Sequence, residues 1–311
     1  MKTVIPVSAI VATKDRAGVL QRMVETLLAQ SEIPAELIIV DASRNNATEL
    51  LATGPFAGHG FKVVYLRAAV MGAAVQRTQG IQVSSQPYIW FLDDDIILED
   101  HCTSRLWGGF RTGPNIGAVN AMITNQKYTR PGTVTRLMYW CMHGKRLHSY
   151  AGMVIGPAWN LLPEDDDRLP DYVEVEWLNT GCTMYNKAAL PDPVFPDLFK
   201  GYSMLEDLTL SVRIAKTHRL LNARTARIYH DSQYGSYKSN VSEMARMELV
   251  NRHYVMTRVL NRTGVGSLLK LFVFECFGVV SGLQSARGWS VIGKVVWGKL
   301  RGINDILFHR S

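Results

Sequence analysis

Residues 88–98 read Tyr88-Ile89-Trp90-Phe91-Leu92-Asp93-Asp94-Asp95-Ile96-Ile97-Leu98, an apolar run that goes straight into three aspartates and turns apolar again. The first five have the composition of a strand covered on both faces, as in a parallel sheet. Adjacent carboxylates repel and raise one another's pKa unless a cation sits among them. Asp93 and Asp95 are two apart, so along an extended segment they project to the same side, which suits a hard divalent cation such as Mn²⁺ or Mg²⁺. The apolar residues on both sides argue against a solvated acidic turn.

Before this stretch the chain alternates between two periods. Residues 7–13, 37–40 and 62–66 are strand-like, and the second of these ends on Asp41. Between them, 18–30 carries Val19, Leu20, Met23, Val24, Leu27 and Leu28 at helical spacing, and 45–51 and 72–83 also fit helices. This rhythm predicts βαβ units with right-handed crossovers, hence an α/β fold with a mostly parallel sheet flanked by helices. Ligands gather at the carboxyl ends of such strands, so Asp15, Asp41 and Asp93 to Asp95 should meet on one rim. Farther on, 116–123 and 181–185 read as strands, 205–216 as a helix opening with Glu206-Asp207, and 226–229 as a short strand before His230. Residues 242–260 are helical in pattern. The acidic run Glu164 to Asp167 lies between Pro163 and Pro170 with no strand leading in, and is predicted to be a solvated loop.

The chain has 311 residues, 47% hydrophobic and 20% charged, values of a globular protein that can bury a large core without staples. Four scattered cysteines form no CxxC pair, so neither a zinc ribbon nor a disulfide framework is implied, and a reducing, cytoplasmic setting is expected. Pro6 interrupts the N-terminal apolar run and Lys14-Asp15-Arg16 follows it, which suits a first core strand better than a signal peptide. The net charge is +7, and residues 262–303 hold six Lys and Arg against one acid, Glu275. Residues 268–283 contain Lys270 and Glu275 and are too short and polar to read as a membrane span. The expectation is a catalytic domain over 1–240 and a basic, amphipathic helical extension over 241–311. That extension would lie on an anionic membrane surface at the cytoplasmic face, or pack on the catalytic domain or a second subunit. The charge also raises a nucleic-acid partner, but no helix-turn-helix, RNP or zinc pattern is present, and an acidic rim would repel phosphate without metal.

Five segments in order resemble the family 2 glycosyltransferases, which have the GT-A fold. They are Val11 to Arg16, Val40-Asp41-Ala42-Ser43, Gly72 with Arg77-Thr78-Gln79-Gly80, Phe91 to Asp95 (the DxD motif), and Leu205 to Arg213, similar to E-D-x-D-L-x-x-R. Ala226 to His230 looks like the strand and histidine that close the site. The chain departs from the family pattern at Lys14, Asp15, Ala42 and Thr209. The resemblance implies an inverting enzyme that moves a sugar from a nucleotide-diphosphate sugar to an acceptor hydroxyl, on a sugar, polysaccharide or lipid-linked acceptor, with Mn²⁺ or Mg²⁺.

By the same resemblance, Asp207 would be the general base and Glu206 would orient it or the acceptor. Thr13, Asp15, Asp41, Arg77, Asp93 and Asp94 would hold the nucleotide sugar, Asp95 and His230 the metal, and Trp177 would wall the sugar or acceptor ring. A sugar nucleotidyltransferase would share the fold and metal, but Ala12-Thr13-Lys14-Asp15 is not the Gly-rich phosphate loop it normally carries. A non-catalytic membrane scaffold is the other alternative.

Overall fold

The computed structural model describes residues 2–199, 201–233 and 240–308. In chain order its elements are β1 (Thr3–Thr13), α1 (Ala17–Ala29), β2 (Glu32–Asp41), α2 (Ala47–Thr53), β3 (Lys62–Arg67), α3 (Ala73–Val83), β4 (Tyr88–Asp93), β5 (Ile96–Leu98), α4 (Cys102–Gly109) and β6 (Ile116–Ile123). Then come α5 (Thr133–His143), β7 (Val154–Ile155), β8 (Trp159–Asn160), β9 (Tyr172–Glu174), β10 (Cys182–Asn186), α6 (Glu206–Ile214), β11 (Arg219–His230), α7 (Val241–Tyr254), α8 (Val265–Gly282) and α9 (Ala286–Phe308). These fall into two compact units, one of residues 1–129 and 162–233, the other of 130–161 and 234–311. Residues 234–239, at the junction expected near 240, lie outside the described residues.

The first unit is built on one sheet, ordered β3-β2-β1-β4-β10-β6-β11-β5, with β9 also on β11. The strands β3, β2, β1, β4, β6 and β11 run one way, and β10, β5 and β9 the other. Alternation along β1 sends Val7, Ala9 and Val11 to a core shared with α1, α2 and α4. Ile10 goes to a second core with α3 and α6. Helices therefore cover both faces, which is why the central strands read as continuous apolar runs. This is the α/β fold with a mixed, mostly parallel sheet that the periodicity predicts.

Several elements outrun their sequence signals. Strand β1 continues through Pro6 because pairing with β4 begins only at Val7, and the β1–β2 register shifts between Ile5 and Ser8. Pro34 sits in β2 before pairing with β3 starts at Glu36, where no partner misses its N–H. The short strand expected at 226–229 is the end of the twelve-residue β11. Its earlier half was hidden by polar residues that the fold satisfies: Asn222 donates to the Asn120 side chain at 2.9 Å, and Arg224 binds Asp167 at 2.8 Å. The same arginine corrects the expected solvated loop at one position, since Asp167 stays exposed while the Asp165 side chain does not. The Asp165 side chain is covered by Arg224, Arg227 and Lys127, at 3.6, 2.9 and 3.4 Å, because three cations converge on it from β11 and the loop after β6.

The second unit is helical apart from the β7–β8 hairpin. Helix α7 ends in a π-helical turn over Val255–Val259. Helices α7 and α9 are laced by ion pairs: Arg246 with Glu243 and Asp305, and Lys299 with Glu248 and, from α8, Glu275. Helix α8 is long and apolar enough to cross a membrane by length and composition, and only 11% of it is buried.

Candidate active site

Three parallel strands deliver the rim. Thr13, Asp41 and Asp93 are the last residues of β1, β2 and β4, with Thr13 opposite Asp41 and Ala12 opposite Asp93. Gln76 on α3 ties the ends of β1 and β2 together, donating to Thr13 O and Val40 O at 3.0 and 2.7 Å. Asp94 and Asp95 form the turn into β5, so the three aspartates are not one extended segment. The side chains of Asp93 and Asp95 still come together, because β5 pairs antiparallel with β11 and sets His230 opposite Ile96. One ligand atom from each of Asp93, Asp95 and His230 lies within 4.8 Å of the others.

Around Asp95 the charges are closely managed. His230 Nε2 is 3.1 Å from Asp95 Oδ1, the Gln233 amide donates to Asp95 Oδ2 at 3.2 Å, and Arg16 Nη1 stands 3.3 Å from that oxygen. Burial alone would raise the Asp95 pKa, but these three partners outweigh it and hold the carboxyl below its ordinary value. Asp94 is the opposite case. It accepts from Thr13 Oγ1 at 2.6 Å and pairs with Arg16 at 3.1 Å, yet burial, helped by Asp95 and Asp93, pushes it up to about 6. Gln126 Nε2 is 3.1 Å from His230 Nδ1. For Nε2 to offer its lone pair to a cation, Nδ1 must carry the proton and Gln126 must accept it through its amide oxygen.

A second cluster adjoins the first. Arg77 on α3, 4% exposed, reaches Asp93 Oδ1 at 2.7 Å and Glu206 Oε1 at 3.5 Å. Glu206 and Asp207 open α6 after Leu205, a non-glycine residue at φ +67°. Gly72, at φ +149°, bridges to Gly201 in the segment before α6, and a Cβ there would meet Gly201 N at 2.9 Å. Burial first raises both carboxyls above the ordinary range, against the pull of Arg77: Glu206, also repelled by Asp207, to about 8, and Asp207, also repelled by Asp93, to about 6. The two titrate as a pair, so near neutral pH one carboxyl holds a proton and the other is ionised. Thr209, where the family's motif has a second aspartate, is fully buried and donates to Leu205 O at 2.8 Å.

The other expected residues are placed as follows. Asp41 has no exposed surface; its oxygens accept from the Ser43 amide at 2.8 Å, the Ser43 hydroxyl, and Tyr65 at 3.0 Å. Asp15 is exposed at φ +54°, a conformation Asn and Asp tolerate best, and its amide donates to Ser43 Oγ at 2.6 Å. Trp177 is buried in the segment leading to Gly181. Gly181 closes the floor: its carbonyl accepts the Asp93 amide at 2.8 Å, and a Cβ would meet Asp93 Oδ2 at 2.8 Å.

The glycosyl transferase family 2 model matches residues 8–190. The chain belongs to that family. A poly-β-1,6-N-acetyl-D-glucosamine synthase of Staphylococcus epidermidis is 26% identical over 187 residues, 55% of this chain and 45% of that protein. The chain thus spans about half the length of the curated relatives it matches. Among solved structures, the mannosyltransferase PcManGT of Pyrobaculum calidifontis, in complex with GDP-Man and Mn²⁺, superposes with TM-score 0.55 at 11% identity, covering 98% of this chain and 88% of that one. GalNAc-T7 with UDP, GalNAc and Mn²⁺ gives TM-score 0.52 at 14% identity over 78% of this chain and 47% of that one. These likenesses establish the GT-A fold.

In this family 2 chain, Arg16, Gln76, Gln126 and Gln233 also belong to the site, although the motifs give none of them a role. Arg16 stood inside the quoted first motif, beside the departures at Lys14 and Asp15. Its signal in sequence is a cation three residues past a strand end, and the fold turns it toward Asp94 and Asp95.

Proposed function

We propose that the chain is an inverting glycosyltransferase that takes a sugar from a nucleotide-diphosphate sugar and joins it to an acceptor hydroxyl. The observation that carries this reading is the contact of two clusters: Asp93, Asp95 and His230 within 4.8 Å, and Arg77 joining Asp93 to the raised carboxyl pair of α6. Two carboxylates and an imidazole are hard and borderline donors that fit Mn²⁺ or Mg²⁺, held by Asp95 and His230 with Asp93 on the sugar side. When bound, the cation would neutralise charge that develops on the leaving diphosphate. Thr13, Asp15, Asp94 and Arg77 orient the nucleotide sugar, and Asp41 acts behind them through Ser43. Asp207, the carboxyl that ionises first, removes the acceptor hydroxyl proton as its oxygen attacks the anomeric carbon and the bond to the diphosphate breaks. Glu206 positions Asp207 or the acceptor, and Trp177 shapes the apolar side of the pocket. The Staphylococcus relative, named for making a polysaccharide, supports an acceptor of that kind.

Charge divides between the two units. By sequence the first holds 19 Lys and Arg against 23 Asp and Glu, a net −4, and the second 15 against 4, a net +11. Helix α9 exposes Trp289, Val296, Trp297, Leu300, Ile303 and Leu307 at helical spacing, with Lys294 and Arg301 also exposed. Helix α8 exposes Val265, Leu269, Phe272 and Val280, while Lys270 and Glu275 turn inward, Lys270 to Met142 O at 2.7 Å. Helices with outward apolar stripes on a basic body fit the surface of an anionic membrane. We therefore assign catalysis to residues 1–240 apart from 130–161, and peripheral attachment at the cytoplasmic face, near a lipid-linked acceptor, to 241–311 together with 130–161.

The test is incubation of the full chain with a panel of nucleotide sugars and Mn²⁺, scoring release of nucleoside diphosphate. Release from one donor, lost on chelation, is expected; no release from any donor would sink the catalytic reading.

A further inference from the structure

A cavity of about 300 Å³ lies within the basic unit, between α5 and the loop that follows it. Leu137, Trp140, Leu147 and Tyr150 supply its walls, and Arg136 and Arg146 line it as well. The loop is held in shape by Tyr150, whose hydroxyl donates to Lys145 O at 2.8 Å and accepts the Leu147 amide at 3.3 Å. The Arg146 guanidinium lies over the Trp140 ring, 4.3 Å from its centroid, which leaves the guanidinium N–H edges available as donors.

The positive charge here is uncompensated. Neither Arg136 nor Arg146 meets a carboxylate among the described residues, and residues 101–163 contain no Asp or Glu at all. The four acids of this unit, Glu243, Glu248, Glu275 and Asp305, are each paired with bases of α7 or α9. Two unpaired guanidiniums beside apolar walls complement a phosphate that carries hydrocarbon, since arginine forks bind phosphate oxygens in pairs. Val134 and Leu137 on the same helix are 69% and 52% exposed. A small hydrophilic anion would leave both facing water; a lipid chain would cover them.

We propose that this cavity holds the phosphate headgroup of an anionic bilayer phospholipid, with Arg136 and Arg146 on the phosphate and Leu137, Trp140, Leu147 and Tyr150 around the first carbons of the chains. The proposal rests on the membrane-surface reading above and gives it a specific lipid contact.

The experiment titrates the full chain with dihexanoyl phosphatidic acid below its micelle concentration, by calorimetry. Saturable binding is expected, weakened at least tenfold in the Arg136→Gln/Arg146→Gln double variant, and unaffected by millimolar inorganic phosphate. Thermal melting checks that the variant folds, and Arg136→Lys, which keeps the charge without the fork, should fall between the two. Equal binding by the double variant would overturn the proposal, as would displacement by inorganic phosphate or a nucleoside diphosphate. Co-sedimentation with phosphatidylcholine vesicles, with and without phosphatidic acid, separates the two readings. Wild-type sedimentation without soluble-lipid binding removes the pocket but keeps the membrane surface. Soluble-lipid binding without sedimentation removes the membrane surface and overturns the bilayer as the source of the lipid.

Discussion

Replacing Arg77 by Gln should move the acid side of the pH–activity profile. Arg77 lies 2.7 Å from Asp93 Oδ1 and 3.5 Å from Glu206 Oε1, and it opposes the upward push on both α6 carboxyls. At an effective dielectric of about 20, unit charges roughly 3.5 Å apart attract by about 5 kcal/mol. Delocalisation over the guanidinium, its sharing with Asp93 and residual solvent reduce this to about a third in effect, about 1.5 kcal/mol or one pKa unit. Without the cation the pair holds its protons to higher pH, so the acid limb of kcat/KM should rise by about one unit. The assay is diphosphate release between pH 5 and 9 at saturating Mn²⁺ and limiting donor. Breaking a buried pair can cost about 3–5 kcal/mol, so folding is checked by circular dichroism. Arg77→Lys, which keeps the charge, should leave the limb within a few tenths of a unit. A folded Arg77→Gln enzyme whose activity drops evenly across pH, with the limb unmoved, would refute the electrostatic coupling.

Other outcomes follow from the same geometry. Asp207→Asn should lower kcat by about 10²–10⁴ while donor affinity, measured by calorimetry, stays near wild type; turnover like the parent would remove its role as base. Because the α6 carboxyls have raised pKa values, the folded state binds protons that the unfolded chain has already lost. Stability should therefore fall as pH rises from about 4.5 through about 8, and Glu206→Gln should flatten that slope in thermal melts; an unchanged slope would count against the buried pair. In Gly181→Ala the new Cβ would meet Asp93 Oδ2 at 2.8 Å and push the carboxylate aside. Donor affinity in the presence of Mn²⁺, read by calorimetry, should drop at least tenfold, and an unaltered affinity would take Asp93 off the sugar side of the site.

Much of this protein is determined by its sequence alone. Periodicities of 2 and 3.6 are local properties, so the βαβ rhythm, both buried faces of the central strands and the strand-end placement of Thr13, Asp41 and Asp93 could be read directly. The order of the motifs likewise named the family. Tertiary structure decided what depends on long-range partners. Asp93 and Asp95 share a site through a turn and the β5–β11 pairing, not through extended alternation. The Asp165 side chain is covered because Lys127, Arg224 and Arg227 reach it from distant segments, whereas its neighbours in sequence suggest solvent. Arg16 became part of the site only when β1 and β4 lay side by side. The opposite charges of the two units also appear only once residues 130–161 are grouped with the C-terminal helices, since no linear window contains both. A residue's periodic neighbours are written in the chain; its charge partners are set by which strands and helices the packing brings together.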